Sequence, residues 1–428
     1  MRFVSPILIV CFLCLCLSVP QAWGIQIQEN AGAPSQQQRE ASAPSPQAQA
    51  AAAVNAFAID AYHQLAEDEK GNIFFSPYSV SSALAMTWAG AAGPTAGEMA
   101  AALRFPEPEA LHAGMKALME RFNAIPKEAG ALEIANRLWL DGREKLLPEY
   151  AALLEAGYGA AVGGMDFQKN PEKARKEINE WIGQKTHDKI KELLFESNVT
   201  PDTRLVLTNA IYFNSTWRYP FEKSRTKEEP FRSGKNKQKN VPLMNQTQEL
   251  LYGEGPGLQW VKLPYTIPRF SLLVFLPQEN EAFTQLEALE NKLTPEAIAA
   301  WTALMERRQV NLWLPKFRDE RRYPLAGLLQ KLGMKLAFTQ KADFSRMAVP
   351  ADDPLYIDFV VHQSFIELDE EKTEAAGATA VGMTRTTAVL HPQEPVTFRA
   401  DRPFIYCLMD DATGTILFLG RMVEPTSP

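Results

Sequence analysis

The residues most open to a chemical reading lie between an apolar run ending at Leu368 and another starting near Phe398, in a connection of about thirty residues. A loop that long, with no good internal structure of its own, needs a function. Read as a strand of period two, one face carries Thr373, Ala375, Gly377, Thr379, Val381 and Met383, and the other carries Glu374, Ala376, Ala378, Ala380 and Gly382. The only charge in this stretch therefore falls on a single face. A loop kept permanently in water has no reason to hold one face small and uncharged. A loop that must slide into the middle of a sheet needs both properties, because a charge carried between two strands and the core costs several kcal/mol. Further along, Arg385 is the only Lys or Arg between Lys372 and Arg399.

Residues for bond-making chemistry of the chain's own do not assemble. There is no Gly-x-Ser-x-Gly, no His-Glu-x-x-His, no phosphate loop and no cysteine pair with metal spacing. The five histidines are dispersed. Gly253, Gly255 and Gly257 precede a strand-like segment, which argues for a turn, and Glu370 with Glu371 reads as solvated strand-end charge rather than as an acid/base pair. No enzyme activity, cofactor or metal is expected.

The elements that must position such a loop are those of a large globular protein. The chain has 428 residues, 46% apolar and 22% charged, enough to bury a sizeable core. Its net charge of −7 and scattered basic residues exclude the electrostatic footprint of a nucleic-acid binder. Arg2, the apolar run Ile7 to Val19, Pro20 and the small residues Ala22 and Gly24 read as a signal peptide over residues 1–24, too short to span a bilayer and without a stop-transfer pattern, so no membrane anchor is expected. Cleavage there removes Cys11, Cys14 and Cys16 and leaves Cys407, flanked by Tyr406 and Leu408, as a buried apolar residue. Residues 25–50, rich in Gln, Ala, Ser and Pro, read as a flexible tether, followed by one domain over 51–428.

Within that domain turn signals alternate with amphipathic helices in the first half: Ser79 to Trp88, Ala96 to Leu103, Glu107 to Phe122, Glu149 to Ala156 and Glu172 to Leu194. Strands dominate the second half, at Leu205 to Phe213, Leu258 to Leu263, Phe270 to Leu276, Val310 to Phe317, Ile357 to Leu368, Thr397 to Arg399, Phe404 to Asp410 and Ile416 to Val423. This order predicts an α+β fold. The thirty prolines suggest many turns and loops. Asn198, Asn214 and Asn245 begin Asn-x-Ser/Thr triplets, which recur by chance too often to count as glycan sites.

Two segments of the chain become specific when read together: Asp369-Glu370-Glu371-Lys372-Thr373-Glu374-Ala375-Ala376-Gly377-Ala378-Thr379-Ala380-Val381, and Phe398-Arg399-Ala400-Asp401-Arg402-Pro403-Phe404. They resemble the hinge and the C-terminal signature of the serpin family of serine protease inhibitors. Asn72-Ile73-Phe74-Phe75-Ser76-Pro77-Tyr78-Ser79, Asn136-Arg137-Leu138-Trp139, Asn209-Ala210-Ile211-Tyr212-Phe213, Trp217 with Pro220-Phe221, Pro315-Lys316-Phe317 and Val361-His362 continue the resemblance in serpin order along nearly all of the folded domain.

The resemblance implies helices packed on large antiparallel or mixed β-sheets with an exposed reactive-centre loop, and a suicide-substrate mechanism. A target serine protease attacks the loop, and the cut loop enters the central sheet as a new strand before the acyl-enzyme hydrolyses. About thirteen inserted residues would carry the protease on the order of 45 Å. By family spacing the sixteenth residue past Glu370, Thr386, forms the reactive bond with Thr387, and Arg385 is the neighbouring alternative. The first suits an elastase- or subtilisin-like protease, the second a trypsin-like one.

The hinge comprises Glu370, Thr373, Glu374, Ala375, Ala376, Gly377, Ala378 and Thr379. Ser76, Ser79, Asn209 and His362 resemble the polar cluster of the sheet-opening region, and Trp217 resembles the aromatic where insertion begins. Lys372 departs from the family, which usually has Gly there. A monomer secreted to an extracellular or periplasmic space is expected, with no nucleic-acid or membrane partner. The competing expectation is a non-inhibitory serpin acting as carrier, chaperone or storage protein.

Overall fold

The computed structural model describes residues 44–125, 130–160, 162–234, 237–278, 282–349, 354–373 and 394–426. In chain order the elements are α1 (Pro46–Asp68), β1 (Ile73–Phe75), α2 (Pro77–Ala89), α3 (Gly93–Ala102), α4 (Pro108–Asn123), β2 (Gly130–Asp141), α5 (Pro148–Tyr158), β3 (Gly163–Met165), α6 (Pro171–Lys185) and β4 (Leu205–Thr216). There follow β5 (Lys227–Gly234), β6 (Lys237–Gly255), β7 (Leu258–Pro264), β8 (Phe270–Pro277), α7 (Ala282–Glu290), α8 (Pro295–Ala303), β9 (Glu306–Pro315), β10 (Phe317–Pro324) and α9 (Ala326–Lys331). The chain closes with β11 (Phe359–Leu368), β12 (Lys372–Thr373), β13 (Val396–Arg399), β14 (Phe404–Asp410) and β15 (Thr415–Met422).

Proline opens α1, α2, α4, α5, α6 and α8, since its fixed φ suits the first helical turn and its missing N–H would have had no partner there. Many prolines expected in turns are thus helix starts. Ser45 caps α1 by accepting the Ala48 N–H at 3.2 Å, and Ala50 is fully buried. The described fold therefore begins inside the stretch read as tether: residues 46–50 open α1, and Ala50 packs where Gly114 of α4 comes close, whatever the low hydrophobicity of the segment suggests.

Two sheets form the body. Among the described residues the larger has nine strands, in the order β1-β15-β14-β8-β7-β6-β9-β13 with β5 beside β6. The smaller has six, in the order β10-β11-β4-β2-β3 with β12 beside β4. Helix α2 is buried from Pro77 to Trp88, and its core contacts join the apolar faces of both sheets. A second apolar cluster lies on the other face of the smaller sheet, where Ile178 and Ile182 of α6 meet Val206, Ala210, Val361 and Phe365.

The division into a helical half and a strand half is corrected in several places. The twelve-residue β2 is central to the smaller sheet yet lies in the first half, and the nineteen-residue β6 carries too many polar residues to announce itself by alternation. The strand expected over Val310 to Phe317 is broken at Lys316, where the chain leaves the larger sheet as β9 and enters the smaller as β10. The helix expected to reach Leu194 stops at Lys185, after which His187 and Asp188 take left-handed φ values of 50° and 58°. The Asn179 side chain then holds the backbone of Leu193 and Leu194.

Candidate functional site

The smaller sheet is antiparallel except at two places, and one of them is its centre. There β11 runs parallel to β4, in register from Phe359 with Val206 to Ser364 with Ile211. Above that the pairing ends, and the chain turns back through Asp369–Glu371 so that Lys372 faces Thr216 and Thr373 faces Ser215 antiparallel. The first two residues past the turn thus already lie on β4. A strand running antiparallel to both β4 and β11 would replace one parallel ladder by two antiparallel ones, which pair slightly more favourably per residue.

Trp217, 2% exposed, organises this turn. Its ring stacks on Tyr265 at 4.5 Å, its Nε1–H donates to the Asp369 carbonyl at 2.9 Å, and its backbone N–H donates to the Glu371 carbonyl at 3.1 Å. The Phe221 N–H donates to the Glu370 carbonyl at 2.8 Å. The Glu370 carboxylate, 6% exposed, accepts from Lys316 Nζ at 3.0 Å and Thr226 Oγ1 at 2.9 Å. Burial acts to raise its pKa, and the bonds from its own backbone, Lys316 and Thr226 outweigh that, holding it below the usual carboxylate range. Sequence reasoning took Glu370 as solvated charge. The ion pair with Lys316, contributed by the corner between two sheets, explains the difference.

About 25 Å along β4 from Trp217, at the rise of an extended strand, Ser76, Ser79, Asn209 and His362 meet in one buried network. All four are fully buried. His362 Nε2 accepts the Ser76 N–H at 2.9 Å, so that nitrogen carries no proton and Nδ1–H donates to Asn209 Oδ1. Burial pushes the imidazole pKa down to about 3 and keeps the ring neutral. The Asn209 amide donates to Ser79 Oγ at 2.7 Å and Asn136 Oδ1 at 2.6 Å, and Asn136 Nδ2 returns to the Ser79 carbonyl at 3.0 Å. Ser76 Oγ caps α2 by accepting the Ser79 N–H at 3.2 Å and donates to the Leu417 carbonyl at 2.6 Å. The His362–Asn209 bond thus spans the two parallel strands, and α2 with β2 anchors it from below.

Asn136 was the member missed as part of this cluster. Its segment was recognised, but only the β2–β4 register, which sets Asn136 opposite Asn209, puts its amide there.

The family model described as Serpin (serine protease inhibitor) matches residues 52–425. The chain belongs to the serpin family. It is 40% identical over 374 residues to a serpin-like protein of Thermococcus kodakarensis, covering 87% of this chain and 85% of that one. It is 39% identical over 379 residues to the leukocyte elastase inhibitor of Homo sapiens, covering 86% and 97%. Among solved structures, uncleaved ovalbumin matches with TM-score 0.78 at 28% identity over 89% of this chain and 100% of that chain, and maspin with TM-score 0.81, also at 28% identity and with the same coverages. This serpin is an inhibitor of serine proteases, not an enzyme, and it works as a suicide substrate.

Of the expected site residues, Ser76, Ser79, Asn209 and His362 come together, while Trp217 and Glu370 form a separate cluster at the upper end of β4. Glu374, Ala375, Ala376, Gly377, Ala378 and Thr379, together with Arg385, Thr386 and Thr387, lie outside the described residues, as does the segment 1–24. Cys407 is buried as expected, and burial raises its thiol pKa to about 12.

Proposed function

We propose that this serpin is cut by an elastase-like serine protease at Thr386–Thr387, with Arg385–Thr386 as the alternative bond, and that the severed loop enters between β4 and β11. The carrying observation is the antiparallel seat of Lys372 and Thr373 on β4. Carried on in the same register, Ala375 comes opposite Phe213, Gly377 opposite Ile211, Thr379 opposite Asn209, Val381 opposite Leu207 and Met383 opposite Leu205. Those β4 residues face the main core and are buried. Residues directly opposite in a ladder share a face, so the uncharged face of the loop meets the core. On the other face Glu374 comes opposite Asn214, which is half-buried, while Ala378, Ala380 and Gly382 come under α6 opposite the buried Ala210, Thr208 and Val206. The small residues go where a helix covers the sheet, and the charge goes to a half-open rim.

In this reading His362, Asn209, Ser76 and Ser79 hold the closed sheet until insertion breaks the bond between β4 and β11, and Trp217 guards the point of entry. A threonine before the scissile bond suits a small apolar specificity pocket, and relatives named leukocyte elastase inhibitor support that choice. Residues 1–24 serve as an export signal and 25–45 as a tether.

The test is to incubate the mature protein with elastase-, subtilisin- and trypsin-like proteases, look for complexes that survive denaturant, and sequence the released C-terminal fragment. A fragment beginning at Thr387 is expected. One beginning at Thr386 moves the bond to Arg385, and cleavage without any resistant complex refutes the trapping role.

A further inference from the structure

At the foot of the smaller sheet, the residue just before β11 bonds across to the start of β4. The Asp358 N–H donates to the Leu205 carbonyl at 3.4 Å, and one carboxylate oxygen of Asp358 accepts two backbone donors at once, the Arg204 N–H at 2.8 Å and the Leu205 N–H at 3.0 Å. Bonds to a charged acceptor are roughly twice as strong as neutral ones. Burial raises the pKa of Asp358, and the two N–H groups and the Arg204 charge act against that by favouring the ionised form.

The two sides of this contact are anchored apart. Toward β2, the Arg204 carbonyl accepts the Asp141 N–H at 2.9 Å, and the Arg204 guanidinium meets Glu144 at 3.4 Å. On the far side, the Ile357 N–H donates to the Ala337 carbonyl at 2.9 Å, and the Val360 carbonyl accepts the Leu325 N–H at 2.9 Å. The donors thus belong to one body and the carboxylate to the other.

We propose that the Asp358 carboxylate is a latch at the foot of the slot between β4 and β11, a positioning residue that sets the rate of the last stage of loop insertion. This rests on the reading that the severed loop enters between those strands. In the register fixed by Lys372 on Thr216, Met383 comes opposite Leu205 and the next residue, Thr384, opposite Arg204. A strand placed there widens the β4–β11 spacing from about 4.8 Å to about 9.6 Å, beyond the reach of an aspartate side chain. The bond from the Trp217 N–H to the Glu371 carbonyl makes 217 and 371 a hydrogen-bonded pair. Every second residue down β4 then exchanges N–H···O bonds with the new strand, Leu205 included. Its N–H passes from the carboxylate to the Met383 carbonyl. The Arg204 N–H loses this acceptor and the carboxylate loses both donors, so the last step of entry works against two charge-assisted bonds and regains one neutral bond at this level.

The experiment follows the uptake of two fluorescent synthetic peptides by the intact full-length protein, using the rise in anisotropy. One peptide carries residues 373–386 and reaches the latch, and the other carries residues 373–382 and stops short of Leu205. Asp358→Ala should speed entry of the longer peptide roughly tenfold, the scale of one lost charge-assisted bond, and leave the shorter one unchanged. Asp358→Asn keeps the shape and one neutral acceptor, and should fall between Ala and wild type with the longer peptide. Equal acceleration of both peptides would mean that the substitution merely loosens the sheet, and together with no acceleration of either it overturns the latch while leaving insertion standing. Failure of both peptides to enter any of the three proteins overturns the insertion reading itself and the latch with it.

Discussion

Replacing Thr379 by arginine tests the register directly. Extrapolated from Lys372 on Thr216 and Thr373 on Ser215, residue 379 arrives opposite Asn209, at a level where Asn209, Ser79 and His362 are all fully buried. A guanidinium brought there loses its water and finds no carboxylate among these partners. The effective penalty for such an ion is several kcal/mol. If about 3–4 kcal/mol of it is felt in the transition state for insertion, the step slows by roughly two to three orders of magnitude. Deacylation then wins, and the serpin is consumed as a substrate. Active-site titration gives the moles of inhibitor used per mole of protease, and denaturing gels show the covalent complex. Wild type should lie close to unity, and Thr379→Arg should yield almost entirely cleaved serpin and free protease. Glu374→Arg, opposite the half-exposed Asn214, should change far less and serves as the control. Thr379→Arg forming as much complex as wild type would refute both the register and the insertion argument.

Two further outcomes follow from the buried polar groups. His362 has a folded pKa of about 3 against an ordinary value of 6.5, so as pH falls between these values the unfolded chain takes up the proton first. The stability it supports is complete above about pH 6.5 and is lost progressively below it. Urea midpoints at pH 7.5 and 5 should therefore differ more for wild type than for His362→Gln, and equal shifts would count against the buried neutral ring. Glu370→Ala leaves Lys316 and Thr226 without their shared acceptor and should lower stability by about 1–3 kcal/mol. Combined with Lys316→Met, the loss should be smaller than the sum of the single changes. Strict additivity would mean the ion pair does not hold the turn.

Much of the functional argument was legible because it rests on local pattern. The alternation from Thr373 to Met383 is a period-two signal readable without a fold, and the apolar run of β4 announces a strand buried on both faces. The segments around Ser76, Asn209 and His362 were individually recognisable. Strand β6 was not, because its polar residues break the alternation and one of them, Gln246, is itself buried. Lys316 read as part of one continuous strand, yet it stands at a corner where the chain changes sheets.

Side-chain sequence determined which segments bury, which loop face is free of charge, and which family the chain resembles. It could not determine that β11 lies beside β4 parallel and in register at His362 and Asn209, because these residues are separated by 153 positions and meet only when both sheets close around α2. The same closure recruits Asn136 to the network and places Lys316 against Glu370. Periodicity reports how much of a side chain is buried, whereas the partner of a buried polar atom is fixed by whatever distant strand the tertiary fold sets opposite it.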